Sequence, residues 1–236
     1  MVQALKAFPR IAAFLRDARG RILHRPDTSI RSISLGSAYG AHTVPQSMSD
    51  PNLVVYSFGV GTDVSFDLAL IQRTNCFVHA FDPTPRSMRW VAQQDLGPRF
   101  KFHAFGLAEI DSYLAFQQPV KAENVSYARA QDNQPMISLP VRRLKTIMSD
   151  LGHAKVNLLK MDIEGFEYAA IDDMIAEKIF PDVVAVEFHH RMYGFTDDPT
   201  ERSVNHLLRA GYRLFHVSDT GREYSFIHQE SLPQYA

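Results

Sequence analysis

The sequence predicts an α/β fold, a mostly parallel β-sheet with helices on both faces. Three observations predict it. From residue 53 onward, apolar runs of strand length alternate with segments of helical period. The run 53–58 is apolar but for Ser57 and ends at Gly59, as a strand buried on both faces should. The last two strand-like runs, 212–217 and 224–228, flank the turn Asp219-Thr220-Gly221-Arg222. That turn is too short for a parallel crossover, so the final strand must run antiparallel to its neighbour.

The elements follow in order. Val64, Leu68 and Ile71 give residues 63–72 a helical face, and 76–81 form the second strand, closed by Asp82-Pro83. Pro85 opens a helix over 85–96, because proline suits a first turn. A third strand covers 100–105 and a short one 113–116, before a polar stretch at 117–137 that reads as a mobile surface insertion. Strand 156–162, helix 166–179, strand 183–188 and a helix over 201–210 ended by Gly211 complete the alternation. Ahead of this domain (51–236), residues 1–50 read as an amphipathic helix and an irregular lead-in. Six cations between Lys6 and Arg25 oppose only Asp17, so the helix is suited to peripheral contact with an anionic membrane, or simply to a solvated basic face.

Composition narrows the function. With 45% hydrophobic and 22% charged residues in 236, the chain can bury a full core without staples. Cys76 is the sole cysteine, which excludes an internal disulfide. A net charge of −1 argues against a nucleic-acid binder. Apolar runs are too short to span a membrane, and Arg10 and Arg16 interrupt any signal-peptide core, so a cytoplasmic enzyme is expected.

Four constellations carry chemistry. Phe58-Gly59-Val60-Gly61-Thr62-Asp63 follows a strand and opens a helix, where free amides attract an anion. Val64 replaces the third glycine of the dinucleotide fingerprint, which weakens a pyrophosphate reading. Asp82, 23 residues after Gly59, stands where a carboxylate accepts from a ribose diol. Asp162 and Glu164 follow the fourth strand and should face the cleft, while Glu167 fits the helix dipole. Glu187 and His189 alternate onto one side of the next strand, an acid beside an imidazole suited to proton transfer. No zinc-ligand spacing occurs.

These residues resemble the FkbM-type family of class I S-adenosylmethionine-dependent methyltransferases over roughly residues 35–230. Leu158-Leu159-Lys160-Met161-Asp162-Ile163-Glu164-Gly165-Phe166-Glu167 is similar to that family's LLKxDxEGxE signature, followed by Val186-Glu187-Phe188-His189. Residues 35–40 and 56–67 resemble the animal methyltransferase-like branch and its bacterial relatives. The resemblance implies a Rossmann-like seven-stranded sheet with its last strand antiparallel, and methyl transfer to a hydroxyl of a sugar, lipid-linked or natural-product acceptor. The cofactor is expected against Ser37, Tyr39, Gly40, Phe58, Gly59, Gly61, Asp63, Asp82, Pro83, Phe105, Gly106 and Asp162. Its methionine carboxylate should meet the amides of 59–63, Asp82 its ribose, and residues 104–107 its adenine. Tyr56 and Ser57 stand where the family usually carries an acid, so Asp63 or the Ser37–Gly40 segment is expected to substitute. His189 is expected as the base, oriented by Glu187, with Asp162 or Glu164 positioning the acceptor. A metal-free mechanism is expected, against a rival in which the same groups bind a divalent ion. The rival functions are an NAD-dependent oxidoreductase and a noncatalytic scaffold.

Overall fold

The structure, a computed structural model, describes residues 22–117 and 136–235. The basic helix expected in the first 25 residues and the expected insertion fall almost wholly outside them. Residues 26–52, expected to be irregular, contain an antiparallel hairpin of β1 (Ser32–Leu35) and β2 (His42–Pro45). Four-residue strands of mixed polarity carry little periodic signal. Tertiary contact holds them in place: Val44 and Met48 are buried against the main sheet, and the Ser225 hydroxyl donates to the Thr43 carbonyl at 2.7 Å.

The next elements are β3 (Val54–Phe58), α1 (Ser65–Thr74), β4 (Phe77–Phe81), α2 (Pro85–Val91) and β5 (Phe100–His103). Helix α1 ends on Asn75 in the left-handed conformation, and α2 is capped by the Thr84 hydroxyl with Pro85 in its first turn. It stops five residues earlier than the sequence implied, because turn and bend structure replaces the helix beyond Val91. A small three-stranded sheet follows, from β6 (Gly106–Leu107), β7 (Ser112–Gln117) and β8 (Met136–Arg142), ordered β6-β8-β7. Helix α3 (Leu144–Leu151) leads to β9 (Leu158–Met161), α4 (Glu167–Ala176), β10 (Val183–Glu187) and α5 (Asp198–Arg209). Strands β11 (Tyr212–Val217) and β12 (Glu223–His228), then α6 (Leu232–Tyr235), complete the chain. Strand β8 and helix α3 had no counterpart in the sequence reading.

Seven strands form the main sheet in the order β11-β12-β10-β9-β3-β4-β5. Only β12 is antiparallel, inserted between β10 and β11, as the Asp219–Arg222 turn required. Along the strands, alternate residues serve opposite cores. Leu158 and Val55 pack beneath α1 and the β1–β2 hairpin, whereas Tyr56, Leu159 and Met161 pack toward α4 and α5. Chain order reverses between β3 and β9, the point at which open parallel sheets part to leave a crevice.

Away from that crevice, three histidines and a tyrosine interlock. His79 Nδ1 lies 3.0 Å from His103 Nε2, and the Tyr56 hydroxyl lies 2.7 Å from His153 Nδ1. Burial, then the neighbouring His103 and His153, lower the His79 pKa to about 4. A histidine kept neutral in the fold but protonated near pH 6.5 when unfolded stabilises the fold above that pH. This contribution disappears as pH falls from 6.5 towards 4. Thermal melts over that interval should show a falling Tm, and His79→Phe should make the decline shallower. An identical decline in the variant would assign the acid sensitivity elsewhere.

Candidate active site

The crevice at the reversal is a cleft open to solvent at its mouth, with about 880 Å³ of empty space when that open solvent is counted. Tyr39, Gly40, Phe58, Gly59, Gly61, Asp63, Asp82, Pro83, Gly106, Asp162 and Glu164 line it, all of them expected from the sequence. Lys160, Asp67, Leu107, Phe116 and Phe166 join them. Phe116 stacks on Phe166 at 4.7 Å, so the small sheet supplies one wall. Phe105 does not line the cleft as expected. Its ring packs on Phe81 at 5.4 Å with the Arg142 guanidinium over it, and Gly106 and Leu107 provide the lining instead.

Gly59 makes the closest approach. Its φ is +87°, and a Cβ there would fall 1.8 Å from the Asp162 carbonyl oxygen. No other residue fits, since the ends of β3 and β9 meet at this point.

The glycine turn is already occupied by an anion from the protein itself. Asp82 Oδ2 accepts from the amides of Val60 at 3.1 Å and Gly61 at 3.0 Å. Its Oδ1 accepts from the Thr84 amide at 2.8 Å and hydroxyl at 2.6 Å. The Gly59 amide donates to the Phe81 carbonyl, and that of Asp63 to the Val60 carbonyl. A carboxylate has about four acceptor positions, and these four donors use them. Asp82, expected at a ribose diol, here fastens the loop, and of the amides expected at a methionine carboxylate those of Gly59, Val60, Gly61 and Asp63 are bonded within the protein.

Asp63 joins two segments distant in sequence. It accepts from the Ser37 hydroxyl at 2.5 Å and the Ser65 amide at 2.8 Å, while the Ser37 amide donates to the Ser65 hydroxyl at 2.7 Å. The Tyr39 and Gly40 amides donate to the Ser37 hydroxyl, which folds this turn over the cleft. Burial opposes ionisation of Asp63, but the Ser37 and Ser65 hydrogen bonds outweigh it and hold its pKa low.

Beneath the glycine turn, Lys160 is buried and donates to the carbonyls of Phe58 at 3.1 Å and Gly59 at 2.9 Å. It sits deeper than Asp162, as the strand spacing implied. Asp67, in the first turn of α1, is 3% exposed, and its Oδ1 has no hydrogen-bond partner among the described residues. Burial raises the Asp67 pKa, and the Lys160 charge partly opposes this.

The acids at the ends of β9 and β10 converge on His189. Its Nε2 is 3.2 Å from Glu164 Oε2 and 3.6 Å from Asp162 Oδ1, while Nδ1 is 3.1 Å from Glu167 Oε1. Glu167 is wholly buried and also accepts from the His189 amide at 3.0 Å and the Gly165 amide at 2.8 Å. Thus Glu167, which the sequence suggested as a helix-dipole acid, orients the imidazole. Glu187, expected in that role, instead faces Arg222 at 3.4 Å. The one available signal was the spacing: Glu167 begins the helix that follows the strand ending at Met161. Burial alone would lower the His189 pKa, but Glu167 and then Glu164 raise it to about 11. The surrounding carboxylates thus favour the charged form of His189, which disfavours the role of base expected for it. Burial and then Asp162 raise the Glu187 pKa to about 7, and burial raises that of Asp162. The Tyr193 hydroxyl donates to Glu164 at 2.5 Å.

A mostly parallel sheet with a glycine turn at its reversal and acids on the adjoining strand ends defines a Rossmann-like α/β protein with its ligand cleft at that reversal. The model of the "Methyltransferase FkbM domain" family matches residues 39–214, and the chain belongs to that family. It is 27% identical over 173 residues to probable methyltransferase-like protein 24 of Rattus norvegicus, and 25% identical over 172 residues to that of Homo sapiens. Both matches take in 69% of this chain but 42% of the relative, so the chain spans under half the length of these relatives. The crystal structure of methyltransferase FkbM from Methylobacillus flagellatus is similar at 16% identity and TM-score 0.46, over 78% of this chain and 48% of that one.

Two substitutions test the loop. Asp82→Ala strands buried donors, which costs about 1–3 kcal/mol. At roughly 2–4 °C per kcal/mol for a chain this size, the Tm should fall by several degrees without any ligand. An unchanged Tm would restore Asp82 to a role in ligand binding alone. Gly59→Ala should fail to give a folded protein by circular dichroism, or should give one with a greatly lowered Tm.

Proposed function

We propose that this chain is an S-adenosylmethionine-dependent O-methyltransferase acting on a hydroxyl of a sugar, lipid-linked or natural-product acceptor. The observation that carries the reading is the buried Lys160 between Asp63 and Asp67, with Asp162 and Glu164 at the same cleft. Lys160 has three N–H donors and uses two of them on carbonyls. The third suits the carboxylate of a zwitterionic methionine tail, and Asp67 and Asp63 suit its ammonium. Asp67 thereby takes the place of the family's acid that Tyr56 and Ser57 lack. The apolar wall of Phe81, Pro83, Leu107 and Phe116 offers a surface for an adenine ring.

When bound, S-adenosylmethionine supplies a sulfonium methyl, which passes to the acceptor oxygen as the hydroxyl proton leaves and S-adenosylhomocysteine is released. The protein's part is to hold the acceptor in line and to receive that proton. Asp162 and Glu164 face the cleft and suit both tasks, whereas His189 keeps the two acids in position. The exposed Tyr39 at the mouth lies close enough to Asp162, Glu164 and Glu187 for these charges to raise its pKa after burial has done so. It is placed to cover an acceptor. A nicotinamide dinucleotide fits less well, because Asp82 already fills the amides that its pyrophosphate would need.

Calorimetry with S-adenosylhomocysteine should show one site per chain. Lys160→Met and Asp67→Asn, checked for folding, should each weaken it by about tenfold, or ~1.4 kcal/mol. No binding to the folded chain would end the reading. With labelled methyl donor and a panel of hydroxylated acceptors, Asp162→Asn should lower kcat by roughly 10²–10⁴. Its cofactor affinity should stay near that of the unsubstituted chain. A loss confined to cofactor affinity would move Asp162 from the acceptor side to the cofactor side.

A further inference from the structure

We propose that Asp162, Glu164 and His189 together form a binding site for one divalent metal ion of the first transition row. Each offers a ligand atom, and the three atoms lie within 4.8 Å of one another. They come from the carboxyl ends of the adjacent parallel strands β9 and β10, so the framework of the sheet sets their spacing. Ligands bound at about 2.0–2.2 Å to one ion, at right-angled to tetrahedral angles, stand roughly 2.8–3.6 Å apart. The two imidazole-to-carboxylate separations, 3.2 Å and 3.6 Å, meet that requirement with little rearrangement.

The surroundings of His189 supply the second, independent argument. The imidazole is 2% exposed, and its Nδ1 is held by a glutamate with no exposure at all. Glu167 is itself fixed by the Gly165 and His189 amides. A histidine that ligates through one nitrogen typically donates from the other to a carboxylate, which fixes the ring and makes it a stronger ligand. Here the donated end is buried, and Nε2 is aimed at the two acids facing the cleft. Glu164 has a comparable support in the Tyr193 hydroxyl. The buried imidazole and the partly exposed acids leave the remaining coordination positions on the cleft side, where water or an acceptor oxygen can enter.

Charge favours the same conclusion. Asp162, Glu164, Glu167 and Glu187 crowd around one imidazole. The nearby Arg222 faces Glu187, and Lys160 is bonded to backbone carbonyls. This concentration of carboxylates around one imidazole favours a divalent cation at Nε2. One nitrogen and two carboxylate oxygens suit Mn²⁺ or Zn²⁺ better than Ca²⁺, which takes six to eight oxygen ligands. Although the sequence favoured a metal-free site, Glu167 behind His189 reverses that preference. Only the consequence rests on the methyltransferase reading: an ion there would acidify an acceptor hydroxyl beside the sulfonium. Ion binding itself does not depend on that reading.

The test uses the whole chain, stripped with a chelator and dialysed. Calorimetry with ZnCl2 and electron paramagnetic resonance with MnCl2 should each show one ion per chain. Glu164→Gln, at the cleft surface and expected to fold, should weaken binding at least tenfold. His189→Ala should abolish it, and Glu167→Gln should weaken it about tenfold to a hundredfold, all with unchanged circular dichroism. If His189→Ala does not fold, Glu164→Gln decides. Absence of binding of both ions at millimolar concentration, or equal affinity in Glu164→Gln, would overturn the site. A parallel titration with S-adenosylhomocysteine separates the two proposals. Ion binding without it would leave the metal site and remove the methyl-donor reading, and the converse would remove only the metal site.

Discussion

Strands β3 and β9 can end side by side only because Gly59 carries no side chain, and the geometry of the cleft follows from that contact. The Asp162 carbonyl occupies the space a Cβ would need. With the two strand ends this close, the glycine turn leaving β3 and the acidic turn leaving β9 face one cleft. The order reversal between these strands keeps crossover connections away from the same place. Lys160, one pleat below Asp162, then reaches across to the carbonyls that end β3. The two strand ends are therefore joined by backbone fit and by a buried cation.

Two buried carboxylates extend this arrangement in different ways. Asp82 gives all its acceptor capacity to the glycine turn and the start of α2, fixing a loop of tight backbone geometry that would otherwise be strained. Glu167 does the same for His189 and the turn before α4, where Glu164 itself adopts a positive φ of +54°. Such a conformation costs energy in a residue other than glycine and persists only where its surroundings determine it. Here the Tyr193 hydroxyl and the imidazole hold the Glu164 side chain. Both carboxylates are rigid supports for groups at or beside the cleft.

Much of the fold was legible in the residues. The apolar runs from Val54 to Glu187 located the parallel strands, because a strand covered on both faces needs no polar face. The four-residue turn at Asp219 required the antiparallel final strand. Helix ends were less legible: α2 stops at Val91 although the apolar pattern continues. The β1–β2 hairpin was not legible, since its buried side chains find partners only once the main sheet exists.

The sequence by itself determined much of what gathers at the cleft. Strand ends of a parallel sheet lie along one edge, so Gly59, Asp63, Asp82, Asp162 and Glu164 had to meet there. It also determined that Lys160, two residues before Asp162, would sit deeper. Only the tertiary structure decided their partners. Whether Asp82 faces a ligand or the glycine turn, and whether Glu167 or Glu187 holds His189, depends on rotamers and separations of a few ångströms across strands far apart in the chain. The charge around His189 arises in the same way. The carboxylates that favour its charged form, Glu164 and Glu167, lie in the single connection from β9 to α4, and only the folded sheet brings them to the end of β10.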